Sequence, residues 1–519
     1  MLHRPLIPLF LLALLLAAPL AAQSTIRLSL DSSGNEGNGI SESPAISADG
    51  RFVAFTSFAN DLVPGDTNSA QDVFVRDLAA GTTTRVSVDS AGNQGLWSSY
   101  QPSISADGRF VSFQSDSDTL VPGDTNGYRD TFVHDRLTGL TERVSVDSNG
   151  AQANGWGDFS AISAGGVVVA FQSYASDLVA GDGNGQPDIF VRDRAAGTTT
   201  RVSVGPAGVE ADGPCFDPAV SADGRYVLFE SAAGNLVPGD SNAARDLFVH
   251  DRLSGVTERV SLRNSGGQAN DFCTLGAISA DGRHVAFVSW ATNLVSGDAN
   301  GLVDVFVRDR LAQTTELASL GPGGVQGDND SGQSAPSLSS DGRFVLFDSL
   351  AGNLVAGDSN WIEDLFLRDR SSATTTRVSV GAGGSQATGL SGHGALSADG
   401  RLAAFHSDAA DLVPGDGNLA RDVFLRDRGP GTGSLLNTIV LSAPATAPVG
   451  SPLTVSWFAA PPGSDFWLAR SWRRSGSVLG GHPFDLGQPV SVVATGVHSA
   501  EGTAASTSPP VPPAAAGRT

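Results

Sequence analysis

The sequence predicts an all-β chain: a seven-bladed β-propeller closed by its N-terminal strand, followed by a small C-terminal β-module. Three observations predict it. A signature of the form Ser-Ala-Asp-Gly-Arg-Phe-Val-Ala-Phe begins at Ser47 and recurs from Ser105, Ser163, Ser221, Ser279, Ser339 and Ser397, every step being 58 residues except one of 60. A second signature, Gly-Asp-x-Asn-x-x-x-Asp, keeps the same interval from Gly65 to Asp422. Residues 25–32 match residues 83–90 in register, so the mature chain opens on a fourth strand that has no unit of its own. A fixed period means one small supersecondary unit copied and stacked, because a single unit cannot bury its own apolar faces.

Within the first unit, residues 44–47 read as a short apolar strand and 48–50 as a tight turn. Residues 51–57 form a second strand, 72–77 a third and, after a turn at 79–81, residues 83–88 a fourth. β-Branched and aromatic residues fill these runs, and Gly and Asp stand at the breaks. The second strand is apolar at nearly every position, as expected of a sheet covered on both faces. Seven such units with both faces buried describe a propeller. An unpaired strand at the seam would invite aggregation, so the segment at 25–30 is expected to pair with 422–427 and close the ring.

The remaining segments follow in order. Residues 1–22 read as a secretory signal peptide: a basic start ending in Arg4, an apolar run over 6–18, and small residues before Gln23. That run is short of the roughly 20 apolar residues a membrane span needs. The protein is therefore expected to be exported, with no membrane span, and to be secreted, periplasmic or on a bacterial cell surface. The propeller occupies 23–433. Residues 434–505 read as a small β-rich module of sandwich type, with strands at 438–441, 453–457, 466–468 and 490–493. Residues 506–519 form a Pro/Ala-rich tail.

The chain carries 32 basic and 54 acidic residues, a net charge of −22, and every basic residue is Arg. Half of the acidic residues occupy repeat positions, so the acidity is written into the unit. It argues against nucleic acid or anionic lipid as a partner and is compatible with a cation. A monomer is expected.

The run Ile46-Ser47-Ala48-Asp49-Gly50-Arg51-Phe52-Val53-Ala54-Phe55, followed by Asp72-Val73-Phe74-Val75-Arg76-Asp77 and a Gly-Thr-Thr turn, resembles the WD40-like repeat of TolB-type bacterial propellers across residues 24–433. The resemblance implies the fold. The group includes envelope components that bind other proteins and propeller domains attached to peptidases. The unit departs from the pattern in its length, since an ordinary propeller repeat has about 40–45 residues. Gly165 also stands where the turn signature has Asp.

The additional length lies in the second-to-third strand loop and in the link between units. Both emerge on one face of an up-and-down blade, which makes that face the expected binding surface. Its second-to-third loops carry Asp66, Asn68 and Asp72 and their counterparts Asp124, Asn126, Asp130; Asp182, Asn184, Asp188; Asp240, Asn242, Asp246; Asp298, Asn300, Asp304; Asp358, Asn360, Asp364; and Asp416, Asn418, Asp422. Oxygen ligands at positions 1, 3 and 7 of a Gly-containing loop suit Ca²⁺. The same side chains equally suit Asx-turns that cap the following strand. The inter-unit loops repeat a Gly-x-Gln/Glu pattern, as in Gly92-Asn93-Gln94, whose uniformity favours a structural role.

A single binding site should show where units differ, and the visible differences are aromatic. Trp97, Tyr100, Tyr128, Trp156 and Trp361 are candidate ligand-binding residues that would stack on sugar or anchor a protein partner; plugging of the loop layer is the alternative. Cys215 and Cys273 occupy the same position in adjacent units, and a disulfide between them is one reading of the pair. No nucleophile elbow, His-Glu-x-x-His or phosphate-binding loop occurs. His134 and His250 stand where other units have Arg. The expectation is an exported, non-catalytic binding or scaffolding propeller that engages protein or glycan, with Ca²⁺ stabilising its loops. The alternative is a secreted propeller hydrolase or lyase acting on polysaccharide or peptide.

Overall fold

The computed structural model of the chain describes residues 23–429 and, beyond them, four strands, Ile439–Ser442, Thr454–Trp457, Asp465–Arg470 and Ser491–Val497. These four pair antiparallel, the first with the second and the third with the fourth. Residues 1–22, read above as a signal peptide, and the tail 506–519 lie outside the described residues.

Blade one consists of Ser41–Ile46, Phe52–Ser57, Asp72–Asp77 and Thr82–Arg85, antiparallel and hydrogen-bonded in chain order from the inside outward. The pattern repeats through blade six. Blade seven supplies only Ser391–Leu396, Leu402–Ser407 and Asp422–Asp427, and the N-terminal strand Ser24–Arg27 completes it. That strand pairs antiparallel with Asp422–Asp427, with Thr25 opposite Arg426, as the matching of residues 25–32 to 83–90 anticipated.

The wheel is closed on its short-turn face as well. The residue after the first-turn Ser in each blade donates its backbone N–H to the equivalent carbonyl of the next blade: Ala48 to Ala106 at 3.0 Å, and so on round to Ala398, which donates to Ala48 at 2.9 Å. Gly50 carries this turn in the left-handed region at φ 73°, and a Cβ there would lie 2.2 Å from Leu402 Cδ1 of blade seven. The turn depends on that glycine more than on Asp49. In blade three, where Gly165 replaces the Asp, Gly166 keeps φ at 70° and Ser163 Oγ still accepts from the N–H of Val168 at 3.0 Å. A bidentate pair ties the two short turns together: Arg51 Nε and Nη2 donate to Asp77 at 2.9 and 2.8 Å.

The core lies between blades. Val53, Ala54 and Phe55 are fully buried, as are Val73, Phe74 and Val75 on the neighbouring strand. Phe55 and Phe74 stack at 5.9 Å between centroids, and the pair recurs in every blade, for example Phe113–Phe132 at 5.9 Å and Phe405–Phe424 at 5.9 Å. This explains why second and third strands are apolar through their middle: each blade has a neighbour on both sides.

The two cysteines correct an expectation. Both are free and buried. Each thiol lies in its own blade against the serine opposite it, Cys215 Sγ at 3.3 Å from Ser231 Oγ and Cys273 Sγ at 3.2 Å from Ser289 Oγ. Four other blades put Ser at this position, as in the Ser41–Ser57 pair, and blade three has Gly157. Cys therefore substitutes for a buried hydroxyl, and burial pushes the Cys215 thiol up to about 12.

Candidate functional site

The Asp/Asn loops turn out to be hubs within each blade. Asn68 Oδ1 accepts from the N–H of Ala70 at 3.1 Å, an Asx-turn, and Asn68 Nδ2 donates to Asp72 Oδ2 at 3.1 Å. Asp72 Oδ1 accepts from Ser87 Oγ at 2.6 Å. Arg85, from the outer strand, places Nη1 at 3.4 Å from Asp66, 3.3 Å from Asp72 and 2.9 Å from Gln94 Oε1. The equivalent arginines are Arg143, Arg201, Arg259, Arg377 and, from the N-terminal strand, Arg27. In two blades a third carboxylate joins, giving Asp182–Asp188–Glu210 and Glu36–Asp416–Asp422, the oxygens of each set lying within 4.8 Å of one another. Arg201 and Arg27 sit among these oxygens. The donor set would suit a hard cation, but in six blades the chain's own guanidinium takes the place such an ion would need. The hydrogen bonds support the turn-capping reading of these loops.

The blades differ elsewhere, at the mouth of the central channel on the long-loop face. The inner strands of successive blades contact one another around the axis, including that of blade seven against that of blade one. Each second strand ends in Phe-x-Ser, in which Phe and Ser are the same in all seven copies. The intervening residue is Thr56, Gln114, Gln172, Glu230, Val288, Asp348 or His406. The residue preceding the hub Asp of the third strand varies equally: Gln71, Arg129, Pro187, Arg245, Val303, Glu363 and Arg421. A third variable position lies at a bulge in the inner strand, where Ser43, Gln101, Phe159, Asp217, Leu275 and His393 all have positive φ.

These positions meet around the channel. In blades two and three, Arg129 donates to Asp116 at 2.8 Å and to Asp158 at 3.1 Å, lies 4.8 Å over the Tyr100 ring, and Tyr100 Oη donates to Asp116 at 2.9 Å. In blade four, Arg245 pairs with Glu230 at 2.7 Å and lies 4.9 Å over Phe216. Desolvation, with Glu230 nearby, raises Asp217 to about 6. In blade seven, Arg421 donates to Asp408 at 2.8 Å and reaches Glu42 of blade one at 3.4 Å. Gln172 is 2% exposed, and its Oε1 is without a hydrogen-bond partner among the described residues.

The densest part joins blades six and seven. The single 60-residue step of the repeat falls here, as two extra residues between Ser331 and Ser339 that shorten the inner strand to Ser337–Leu338. The resulting loop wraps the buried carboxylate of Asp348, which accepts from the N–H of Gln333 at 2.6 Å and that of Ser334 at 3.1 Å. Glu363 lies beside it, against Gly392, where a Cβ would be 2.4 Å from Glu363 Oε1. Burial raises both carboxyls, and the Asp348 charge adds to its effect on Glu363, which is pushed up to about 7. His393 and His406 stack at 5.3 Å, and burial holds both below the ordinary histidine value, His406 at about 3.

Around this polar floor stands an uneven rim of exposed aromatics: Phe58 in blade one, Trp156 and Tyr174 in blade three, Phe272 and Trp290 in blade five. Trp156 and Tyr174 meet edge to face at 6.5 Å. Of the aromatics singled out in the sequence, Tyr100 and Trp156 belong to the mouth. Trp97, Tyr128 and Trp361 are exposed on the surrounding loops, Trp361 at 78%. Tyr174, Trp290, Asp348, Glu363 and Arg129 each adjoin a residue that all seven units share: Asp348 stands between Phe and Ser, Tyr174 and Trp290 follow that Ser, and Arg129 and Glu363 precede the hub Asp.

No family model and no curated protein matches the sequence. Solved structures similar to it include TolB from Acinetobacter baumannii, at 16% identity and TM-score 0.37 over 64% of this chain and 64% of that one. An oligogalacturonate lyase in complex with manganese is similar at 13% identity and TM-score 0.48 over 80% and 98%. The β-propeller domain of the Trilobed protease from Pyrococcus furiosus is similar at 10% and 0.43 over 75% and 95%. The seven blades themselves establish the propeller; likenesses of this size say nothing of its ligand. No helix among the described residues is long and apolar enough to cross a membrane.

Proposed function

We propose that the chain is an exported, non-catalytic binding propeller whose ligand lies across the channel mouth of the long-loop face, and that the ligand is a neutral glycan. One observation carries this reading: in seven near-identical units, three variable positions of each blade lie together at that mouth. Aromatic faces beside carboxylates and amides are what sugar rings and hydroxyls require, the faces for stacking and the polar groups for direction. Most of the carboxylates there are already paired with arginine, which suits recognition more than proton transfer. The net charge of −22 disfavours a polyanionic ligand. Export rests on the N-terminal segment read above.

The Asp348–Glu363 pair favours a second reading, a hydrolase or lyase in which these two buried carboxyls act as acid and base. A glycan array, with a peptide pull-down beside it and EDTA in one arm, separates the two. Saturable binding of intact neutral oligosaccharide is expected; shortened products after incubation would give the enzyme, and capture of peptide alone would give a protein ligand.

A further inference from the structure

Blade five breaks the hub pattern. Its outer strand Thr314–Leu317 places Leu317 opposite Phe306, the position that Arg85 takes opposite Phe74 in blade one. The carboxylates it should pair with are still present. Asp304 is fully buried, accepting from Ser319 Oγ at 2.5 Å and Asn300 Nδ2 at 2.9 Å, and Asp298 accepts from Gln326 Nε2 at 3.1 Å. In the other six blades a guanidinium nitrogen lies 2.9–3.5 Å from each member of this carboxylate pair. In blade five, among the described residues, neither has a cationic partner.

A cavity reaches Asp298 and Leu317, while Asp304 is fully buried and is not part of its lining. This cavity of about 440 Å³ lies between the outer strand of blade five and blade six, lined by Asp298, Glu316, Leu317, Gln326, Arg368 and Arg370 among others. Arg368 and Arg370 do not answer the missing charge, because Arg368 donates to Thr375 Oγ1 at 3.2 Å and to the Leu320 carbonyl at 3.4 Å, and Arg370 is held by Glu316. The volume is that of a small-molecule pocket, far larger than a bare ion needs. Desolvation raises both carboxyls, Asp304 to about 6, as it does in sibling hubs that keep their arginine, so the vacancy is read from the geometry.

We propose that this cavity binds an exogenous guanidinium group, which passes Leu317 and pairs with Asp298 and Asp304 as the chain's own arginine does in the six sibling blades. The fork of a guanidinium matches two carboxylates in a way a point charge does not. The site is separate from the channel mouth, so it stands or falls independently of the glycan reading.

The test titrates the exported protein with methylguanidinium and with acetyl-arginine amide in a calorimeter, beside the Leu317→Arg and Asp298→Asn variants. Leu317→Arg restores the sibling arrangement and should both raise the melting temperature and weaken binding about tenfold or more. Asp298→Asn, which leaves the fold's own contacts largely in place, should weaken it similarly. Tighter binding of the arginine derivative would point to an arginine of a partner protein, and equal binding to a free guanidinium compound. The proposal is overturned by absence of saturable binding, by undiminished binding in both variants, or by Ca²⁺ binding in place of methylguanidinium that Leu317→Arg abolishes.

Discussion

Arg27→Ala is expected to destabilise the wheel by about 3–5 kcal/mol, the usual effect of stripping the partner from a buried charge. Arg27 lies 2.6 Å from Glu36, 3.3 Å from Asp416 and 3.5 Å from Asp422, so its loss leaves three carboxylates without their cation. It also belongs to the strand that closes the ring. Arg85→Ala removes the same kind of hub from a blade whose four strands are continuous in sequence, and should cost less. Leu28, fully buried next to Arg27, should cost about 2–5 kcal/mol when cut to Ala. Deleting residues 23–30 exposes the whole edge of Asp422–Asp427 and should abolish the cooperative transition. Urea denaturation of the four proteins checks the order; equal effects of Arg27→Ala and Arg85→Ala would mean that the N-terminal strand contributes nothing special.

The second large effect is a stability maximum on the acid side of neutrality. Two sets of carboxyls shift in opposite directions. Hub groups Asp66, Asp182, Asp304 and Asp422 are raised to about 6, first by desolvation. Each binds its proton more tightly folded than unfolded, where a carboxyl titrates near 4, so its contribution is full below about pH 4 and is lost as pH rises through about 6. Latch group Asp77, held by the Arg51 guanidinium, lies at about 2. Asp369, held by Arg343 against the opposing effect of burial, also lies at about 2. Their contribution is present above about pH 4 and is lost as pH falls through about 2. The melting temperature should therefore be higher at pH 5 than at pH 7.5 and fall steeply below pH 3. Scanning calorimetry across that range checks it; a maximum at pH 7 or above would contradict the raised hub carboxyls.

The wheel was legible because its signals are repeated. The 58-residue period, the alternation of apolar runs with Gly and Asp, and the stray fourth strand at 25–30 each follow from local chemistry copied seven times. The hubs were visible as residues but ambiguous as chemistry. Asp66, Asn68 and Asp72 are close in sequence, whereas Arg85, which decides what they hold, comes from another strand. The same distance hid the channel mouth, since Asp348, Glu363 and His393 meet only through the ring. Attention to aromatic residues in the loops favoured Trp361, which stands in solvent, over Trp290, which borders the mouth. The cysteines misled because equal positions in adjacent units suggested proximity, although such positions are a blade apart and each thiol faces its own strand neighbour.

The most direct measurement is glycan-array binding by three proteins: the unaltered chain, Trp290→Ala and Trp361→Ala. Loss of a stacking face at the mouth should weaken binding about tenfold, in line with about 0.5–1.5 kcal/mol of aromatic interaction beyond the buried area. Trp361→Ala should bind as the unaltered chain does. Binding that survives Trp290→Ala and disappears with Trp361→Ala would move the site out to the loops and contradict the channel mouth as the place where this propeller meets its ligand.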